Sequence, residues 1–311
     1  MKNSKMLTIQ ILVNNNEKTI KNTLDSIASI DAKTIVGDLG CSDRTVEICS
    51  AYGADIIKIS NRDNYSKIRN SLCKEGINFY INPWEELIQG QEIINSIKDC
   101  SNIYLFQNNV ISKEIRFWKE EKFINPVFET IINNNAKSYP QIVISSKNKP
   151  DEFENKLKLV EKWMSERPVD VEPYYYLACC YLSDRQYDKF LFYSQEYCSR
   201  ENKVSSSFIM MKYYMAQVKL YMNKVKEAAE LALTCISYHP ANAEFWCLLG
   251  DIYYRQKIWA KSKCFYENAI ILGSKRKNDD IPIEIEKYKE YPEKIIENIE
   301  NILKNQKLFS G

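Results

Sequence analysis

The sequence predicts an α/β domain over residues 1–145, followed by an all-α helical-repeat domain over 151–311, and three observations carry that reading. The stretch Thr34–Thr45, TIVGDLGCSDRT, places Asp38 where a short apolar strand ends, Gly40 at a sharp turn and Ser42 or Asp43 at a helix start. Small residues recur as Ala178, Ala216 and Gly250, 38 and 34 positions apart, inside helical stretches. Pro292–Gln306 then carries Ile295, Ile296, Ile299 and Leu303 at helical spacing, as a terminal covering helix requires.

Taken in order, Met6–Val13 reads as a strand from its β-branched content. Asn14–Asn16 turn the chain, and Glu17–Ile30 fits a helix with Ile20, Leu24 and Ile27 on one face. The Thr34 strand follows, then a helix over Arg44–Tyr52 that stops at Gly53, and a strand over Asp55–Ser60. Tyr65–Lys74 reads as a further helix carrying Lys67, Arg69 and Asn70. This β-α-β-α-β opening belongs to a parallel or mixed sheet. A carboxylate at the end of its second strand stands where open α/β sheets bind ligands. Asp38 and Asp43 therefore have two open readings, ligand contacts or a turn former and a helix cap.

Composition narrows the function classes. With 43 basic and 41 acidic residues in 311, no global field points to nucleic acid or an anionic membrane. Ten cysteines without CxxC spacing or a signal-peptide pattern indicate a reducing, cytoplasmic setting. Apolar runs such as Leu7–Val13 are too short to span a bilayer, so no transmembrane segment is expected. His239 is the sole histidine, which excludes His-based triads and His-rich zinc sites. It stands at an inter-helix turn before Pro240, where a structural role is expected.

Three ordered motifs, VNNNE (Val13–Glu17), DLGCSDRT (Asp38–Thr45) and YSKIRNSL (Tyr65–Leu72), resemble those of family 2 glycosyltransferases, and most closely the members that carry tetratricopeptide repeats. The resemblance spans about the first 75 residues and implies the GT-A nucleotide-sugar fold. By that resemblance Asp38 and Gly40 would face the nucleoside. Asn14, Asn15, Glu17 and Asp43 would border the same pocket, and Arg69 would approach the phosphates. Glu129, in NPVFE (Asn125–Glu129), would be the candidate base, with Phe128 standing where the family carries a histidine.

The sequence departs from that family at its metal motif. Gly76–Glu86, GINFYINPWEE, has no DxD, leaving Asn82, Glu85 and Glu86 as the remaining oxygen donors. A hard divalent cation prefers carboxylates, so a metal is possible but poorly supplied, and the cofactor stays unassigned. Glu85 and Glu86 also read as the solvated first turn of a helix through Ile88. Further strands are expected at Asn102–Phe106 and Lys113–Trp118.

Beyond Asp151, Phe153, Leu157, Val160 and Met164 form a helical stripe ended by Pro168. Tyr174, Leu177, Ala178 and Tyr181 recur as Trp246, Leu249, Gly250 and Tyr253, a spacing close to the tetratricopeptide period. Three helical hairpins are expected, with Tyr174–Tyr176 and Tyr213–Tyr214 serving packing. Two functions fit. The main one is transfer of a sugar from a nucleotide-diphospho-sugar, a UDP-sugar foremost, to a protein or glycan acceptor held partly by the repeats. The alternative is a catalytically inactive nucleotide-sugar fold acting as a protein-binding scaffold. On the transferase reading, donor binding would depend little on divalent cations.

Overall fold

The computed structural model describes residues 7–126, 131, 133, 135–146, 153–276 and 280–309. It divides into two compact units, Met1–Val169 and Asp170–Gly311.

The first unit opens with β1 (Leu7–Val13), α1 (Ile20–Ile27), β2 (Ala32–Asp38), α2 (Thr45–Ala51), β3 (Asp55–Lys58), α3 (Tyr65–Leu72) and β4 (Ile77–Tyr80). It continues through β5 (Glu85–Gln89), α4 (Gln91–Ile94), β6 (Ser101–Gln107), β7 (Val110–Trp118), β8 (Lys137–Ser146) and α5 (Phe153–Glu166). The sheet runs in the order β3-β2-β1-β4-β7-β6-β8-β5. β3, β2, β1 and β4 are mutually parallel, and β7 adds antiparallel to β4. β1 is buried along its whole length, as a strand covered on both faces must be, and Thr8 and Gln10 alone interrupt its apolar run.

The helices divide between the faces of this sheet. Ile20, Leu24 and Ile27 of α1 and Cys49 of α2 pack with Ile9, Ile11 and Val36. Ile68 and Leu72 of α3 pack on the opposite face with Leu12, Ile35 and Leu39. The chain thus steps outward from β1 to β3 across one face, then returns over the other to reach β4. Right-handed crossovers permit no other path. Strand order consequently reverses between β1 and β4, which makes their carboxyl ends a topological switch point.

One expectation is corrected in this unit. Glu85 and Glu86 do not open a helix; they begin β5, and the next helix starts only at Gln91. The cause is alternation: Glu85 and Leu87 point inward at 2 % exposure each, and a buried arginine neutralises the carboxylate. α5 also belongs with this unit rather than with the hairpins that follow it.

The second unit contains three helical pairs: α6 (Glu172–Ser183) with α7 (Tyr187–Arg200), α8 (Ser206–Tyr221) with α9 (Val225–Tyr238), and α10 (Ala243–Arg255) with α11 (Trp259–Gly273). An extended pair Ile283–Glu284, a 3-10 turn Ile285–Tyr288 and α12 (Glu290–Phe309) complete it. The pairs are equivalent residue by residue. Each turn holds one left-handed residue, Arg185 (φ 58°), Asn223 (φ 62°) or Lys257 (φ 59°), spaced as Ala178, Ala216 and Gly250 are. Each turn also makes the same two bonds. Gln186, Lys224 and Ile258 donate to the carbonyls of Tyr181, Lys219 and Tyr253 at 2.9, 2.8 and 3.0 Å. Arg185, Asn223 and Lys257 donate to Leu182, Leu220 and Tyr254 at 3.1, 3.0 and 2.9 Å. This is the Schellman arrangement, built without glycine in all three turns.

Helix contacts inside the pairs trade volume between repeats. Ala178 and Ala216 are fully buried, and the positions equivalent to Tyr266 are Ser194 and Ala232. In the third pair the small partner is Gly250, and a Cβ there would fall 2.7 Å from the Tyr266 ring. Tyr266 in turn donates to Asp251 Oδ1 at 2.5 Å. α12 places Ile299, fully buried, against Ala243, Cys247 and Ala269. The segment before it is tied to α8 and α10: Ile281 is buried beside Ile209, Tyr213 and Phe245, and Tyr213 Oη donates to Glu284 Oε1 at 2.7 Å. Glu244 Oε1 accepts from the Glu284 N–H at 2.9 Å, and Glu244 Oε2 accepts from Tyr288 Oη at 2.9 Å.

Two stability outcomes follow from this packing. Gly250→Ala is expected to cost about 1–3 kcal/mol by overpacking against the Tyr266 ring, despite alanine's better helix propensity. Lys257→Gly should gain about 0.5–1 kcal/mol because a lysine at positive φ is strained, whereas Asn223→Gly should be nearly neutral. Urea unfolding of the full chain checks both.

Candidate functional site at the carboxyl edge of the parallel strands

Four strand ends, Val13, Asp38, Lys58 and Tyr80, share one edge of the parallel sheet. The loop after β1 and the loop after β2 meet there. Asn15 Oδ1 accepts the N–H of Ser42 at 2.8 Å and that of Asp43 at 3.4 Å. The Asn16 N–H donates to Thr45 Oγ1 at 2.7 Å, and the Glu17 N–H donates to Asp43 Oδ2 at 3.1 Å. Glu17 Oε2 accepts the Arg44 N–H at 3.2 Å. Asn14 is exposed, and its N–H donates to Asn16 Oδ1 at 2.7 Å. The structure therefore brings Asn14, Asn15, Glu17, Asp38, Gly40 and Asp43 together, with much of their hydrogen-bonding capacity spent on joining the two loops.

Asp38 is 7 % exposed, and its Oδ1 accepts the N–H groups of Gly40 and Cys41, both at 2.8 Å. Burial opposes its charge, but those two N–H groups and the nearby Lys58 hold its carboxyl below the usual aspartate range. Asp43 is held below its usual range in the same way: burial opposes its charge, while Thr45 and the Glu17 N–H favour it. Gly40 has φ 93°, and a Cβ on it would lie 2.0 Å from Arg62 Nη2. The exposed Arg62 can swing aside, so it is the positive φ that favours glycine here. The backbone donors of this turn that could meet a phosphate are thus already engaged by Asp38 and Asn15. α2, which starts here, is only seven residues long.

Arg69 lies away from this loop pair. It is 1 % exposed, its guanidinium carbon stands 4.3 Å from the Tyr80 ring centroid, and Nη2 donates to Asn82 Oδ1 at 3.2 Å. Its expected contact with phosphates is replaced by an interior one, because α3 packs that face of the helix against the end of β4. Glu129, the expected base, and Phe128 lie outside the described residues.

The Tyr80 ring meets a second guanidinium, that of Arg116, whose carbon stands 4.2 Å from the same centroid. Arg116 is itself 1 % exposed and grips Glu85 through two bonds, Nη1 to Oε2 at 2.8 Å and Nη2 to Oε1 at 2.9 Å. Asn82 closes the cluster, its N–H donating to Glu85 Oε2 at 2.8 Å and its Nδ2 to Oε1 at 3.0 Å. Glu114 Oε2 accepts from Arg116 Nε at 3.0 Å. Burial would push the Glu85 carboxyl up, but Arg116 and the Asn82 donors outweigh it and hold it below the ordinary glutamate value. Both Glu85 oxygens are saturated by cationic or amide donors, so this carboxylate does not fit a divalent cation. Among the described residues, no group of three or more His, Cys, Asp or Glu side chains could hold a metal ion. Sequence reasoning missed Arg116 and Tyr80. Their signal was a lone arginine within the apolar strand end IRFW, which demands a buried counter-charge.

No protein-family model matches the chain, and no curated protein matches it. Solved structures that resemble it in part include MamA, residues 41 to the end, from Desulfovibrio magneticus RS-1. That likeness has 19% identity and a TM-score of 0.36, covering 40% of this chain and 69% of that one. The C-terminal part of a TPR repeat-containing protein from Cytophaga hutchinsonii matches at 15% identity and a TM-score of 0.36, over 41% of this chain and 48% of that one. The equivalence of the three turns, not these partial likenesses, establishes the helical repeat. No helix among the described residues is long and apolar enough to cross a membrane.

Arg116→Met should destabilise the protein by about 3–5 kcal/mol, since it leaves Glu85 buried without its counter-charge, and Glu85→Leu with Arg116→Met should restore much of that loss. The pH dependence has a definite sign. A carboxyl whose folded value is depressed contributes stability above its unfolded value, near 4.5, and loses it as pH falls toward the folded one. Urea stability of the wild type should accordingly fall more steeply below pH 4.5 than that of the Glu85→Leu, Arg116→Met double variant.

Proposed function

We propose that this chain is a protein-binding scaffold whose nucleotide-sugar-like first unit is structural rather than catalytic. The Glu85–Arg116 pair carries this reading. The segment that stands where a glycosyltransferase carries its metal-binding motif offers one inward carboxylate, and that carboxylate is held bidentately by an arginine. The array of three equivalent hairpins supports the same reading, because stacked helical pairs build extended recognition surfaces. Phe192, Tyr221, Leu233 and Ile271, each more than half exposed on the second unit, supply apolar side chains for a protein partner.

Glycosyl transfer is the second reading. Asp38 at the carboxyl edge, beside the reversal of strand order between β1 and β4, favours it. A transferase would need stabilisation of the leaving diphosphate, and Lys58, Arg62 and Lys67 are exposed cations near that edge.

Incubation of the full chain with UDP-sugars, in EDTA and in Mn²⁺, with UDP release measured, separates the two. The scaffold reading predicts no UDP release above the protein-free rate in either condition. Turnover in either condition would overturn it, as would a tenfold or larger gain in UDP affinity with Mn²⁺ that Glu85→Gln abolishes. Photo-crosslinking side chains placed at Phe192 and Leu233 should, on the scaffold reading, capture one defined protein in the source cell, and capture should fail when Tyr221 is replaced by Glu.

A further inference from the structure

Successive helical pairs of the second unit are joined by short connections, residues 201–205 and 239–242. Between α11 and α12 the connection runs from 274 to 289, sixteen positions, where helix–helix links in bundles take about 2–8. Residues 280–289 of this excess lie across the first helices of the second and third pairs. Ile281, 3 % exposed, joins Ile209 and Tyr213 of α8 and Phe245 of α10. Tyr213 Oη donates to Glu284 Oε1 at 2.7 Å. On α10, Glu244 Oε1 accepts the Glu284 N–H at 2.9 Å, and Cys247 Sγ donates to the Lys287 carbonyl at 3.4 Å. Asp251 Oδ2 stands 3.9 Å from Lys287 Nζ.

Glu244, Cys247 and Asp251 are three and four positions apart, so they share one face of α10. Tyr213 and Cys247 are 34 positions apart, as Ala216 and Gly250 are, so the segment meets the same position of two successive repeats. Stacked repeats offer such equivalent faces as an extended recognition surface. The segment is held there as a bound peptide is held. Its backbone is extended at Ile283–Glu284, and repeat side chains take its main-chain N–H and carbonyl groups. Its side-chain anchors are a buried isoleucine and, three positions later, a carboxylate, while Ile285 is 43 % exposed. α12 carries its own buried anchor, Ile299, so release of the segment does not require release of that helix.

We propose that Asp280–Tyr288 is an autoinhibitory strap seated in the partner groove of the repeats. The partner that competes with it is an extended peptide segment carrying a branched apolar residue three positions before a glutamate. The inference rests on the scaffold reading and names the face and the chemistry that reading would use. A short tether gives the strap an effective concentration on the order of mM, so the closed chain excludes segments of ordinary affinity.

Two measurements on the full chain test this. In native-state hydrogen exchange the Glu284 amide should exchange at least tenfold faster than those of Ala216 and Leu249 in the helices beneath, because the strap opens while the repeats stay folded. A Glu284 amide as slow as those two overturns the proposal. In the second measurement a fluorescein-labelled synthetic peptide with the sequence of Asp280–Lys289 is titrated into the wild type and into the Ile281→Ser, Glu284→Gln double variant, whose strap is weakened. The double variant should bind it saturably and at least tenfold more tightly than the wild type does. Ile281→Ser in the peptide should weaken that binding at least tenfold, and Tyr213→Phe in the chain should weaken it several-fold. Absence of saturable binding, equal binding by wild type and variant, or indifference to both substitutions overturns the proposal. If the double variant loses the wild-type circular dichroism, Ile281→Ala alone replaces it, and the exchange rates of the wild type decide independently. UDP release from a UDP-sugar would remove the scaffold reading whatever the strap does. A slow-exchanging strap together with a protein captured at Phe192 and Leu233 would remove this inference alone.

Discussion

A buried arginine organises the first unit. Arg116 sits at 1 % exposure near the end of β7, and an isolated charge there would be prohibitively expensive. Its neighbours are arranged to meet that demand. Glu85 is drawn inward from the start of β5, Asn82 turns its amide onto the carboxylate, and Tyr80 offers its ring face to the guanidinium. Arg69 also stands over the same ring, 4.3 Å from its centroid. One charge thus ties the start of β5 and the loop before it to the ends of β4 and β7, and through Tyr80 to Arg69 of α3.

The loop pair at the strand ends obeys a related constraint. Tight turns leave several backbone N–H groups without intrahelical or intersheet partners. Asp38 takes those of Gly40 and Cys41, Asn15 takes those of Ser42 and Asp43, and Asp43 takes that of Glu17. Residue types that would suit a nucleotide site are the same types that satisfy such turns, since both tasks call for short side-chain acceptors next to glycine. A sequence motif of this kind is therefore compatible with either use, and the hydrogen-bond partners decide which one a given chain displays.

Elements governed by local rules were legible in the residues. The apolar run of β1, the period of α1 and the recurrence of Ala178, Ala216 and Gly250 all predicted what the coordinates contain, because burial on a strand or helix leaves a fixed periodicity. Of the three left-handed turn residues, Arg185 and Lys257 are not legible in sequence, since arginine and lysine carry no signal for positive φ, whereas Asn223 is of a type that favours it. Glu85 was misplaced for a different reason. Its partner lies 31 residues away, and a carboxylate that is stable in the interior only through a distant arginine looks in sequence like an ordinary surface residue. Arg69 likewise reads as a surface cation until Tyr80 and Asn82 are seen around it.

The Glu85 carboxylate belongs to Arg116 and not to a metal, and paramagnetic broadening tests this. With the Arg116 Nε–H and the Asn82 side-chain amide assigned by NMR, Mn²⁺ added to one equivalent in the presence of UDP should leave both resonances sharp. Selective loss of both signals at that ratio, reversed by EDTA, would place the ion beside Glu85 and contradict the account.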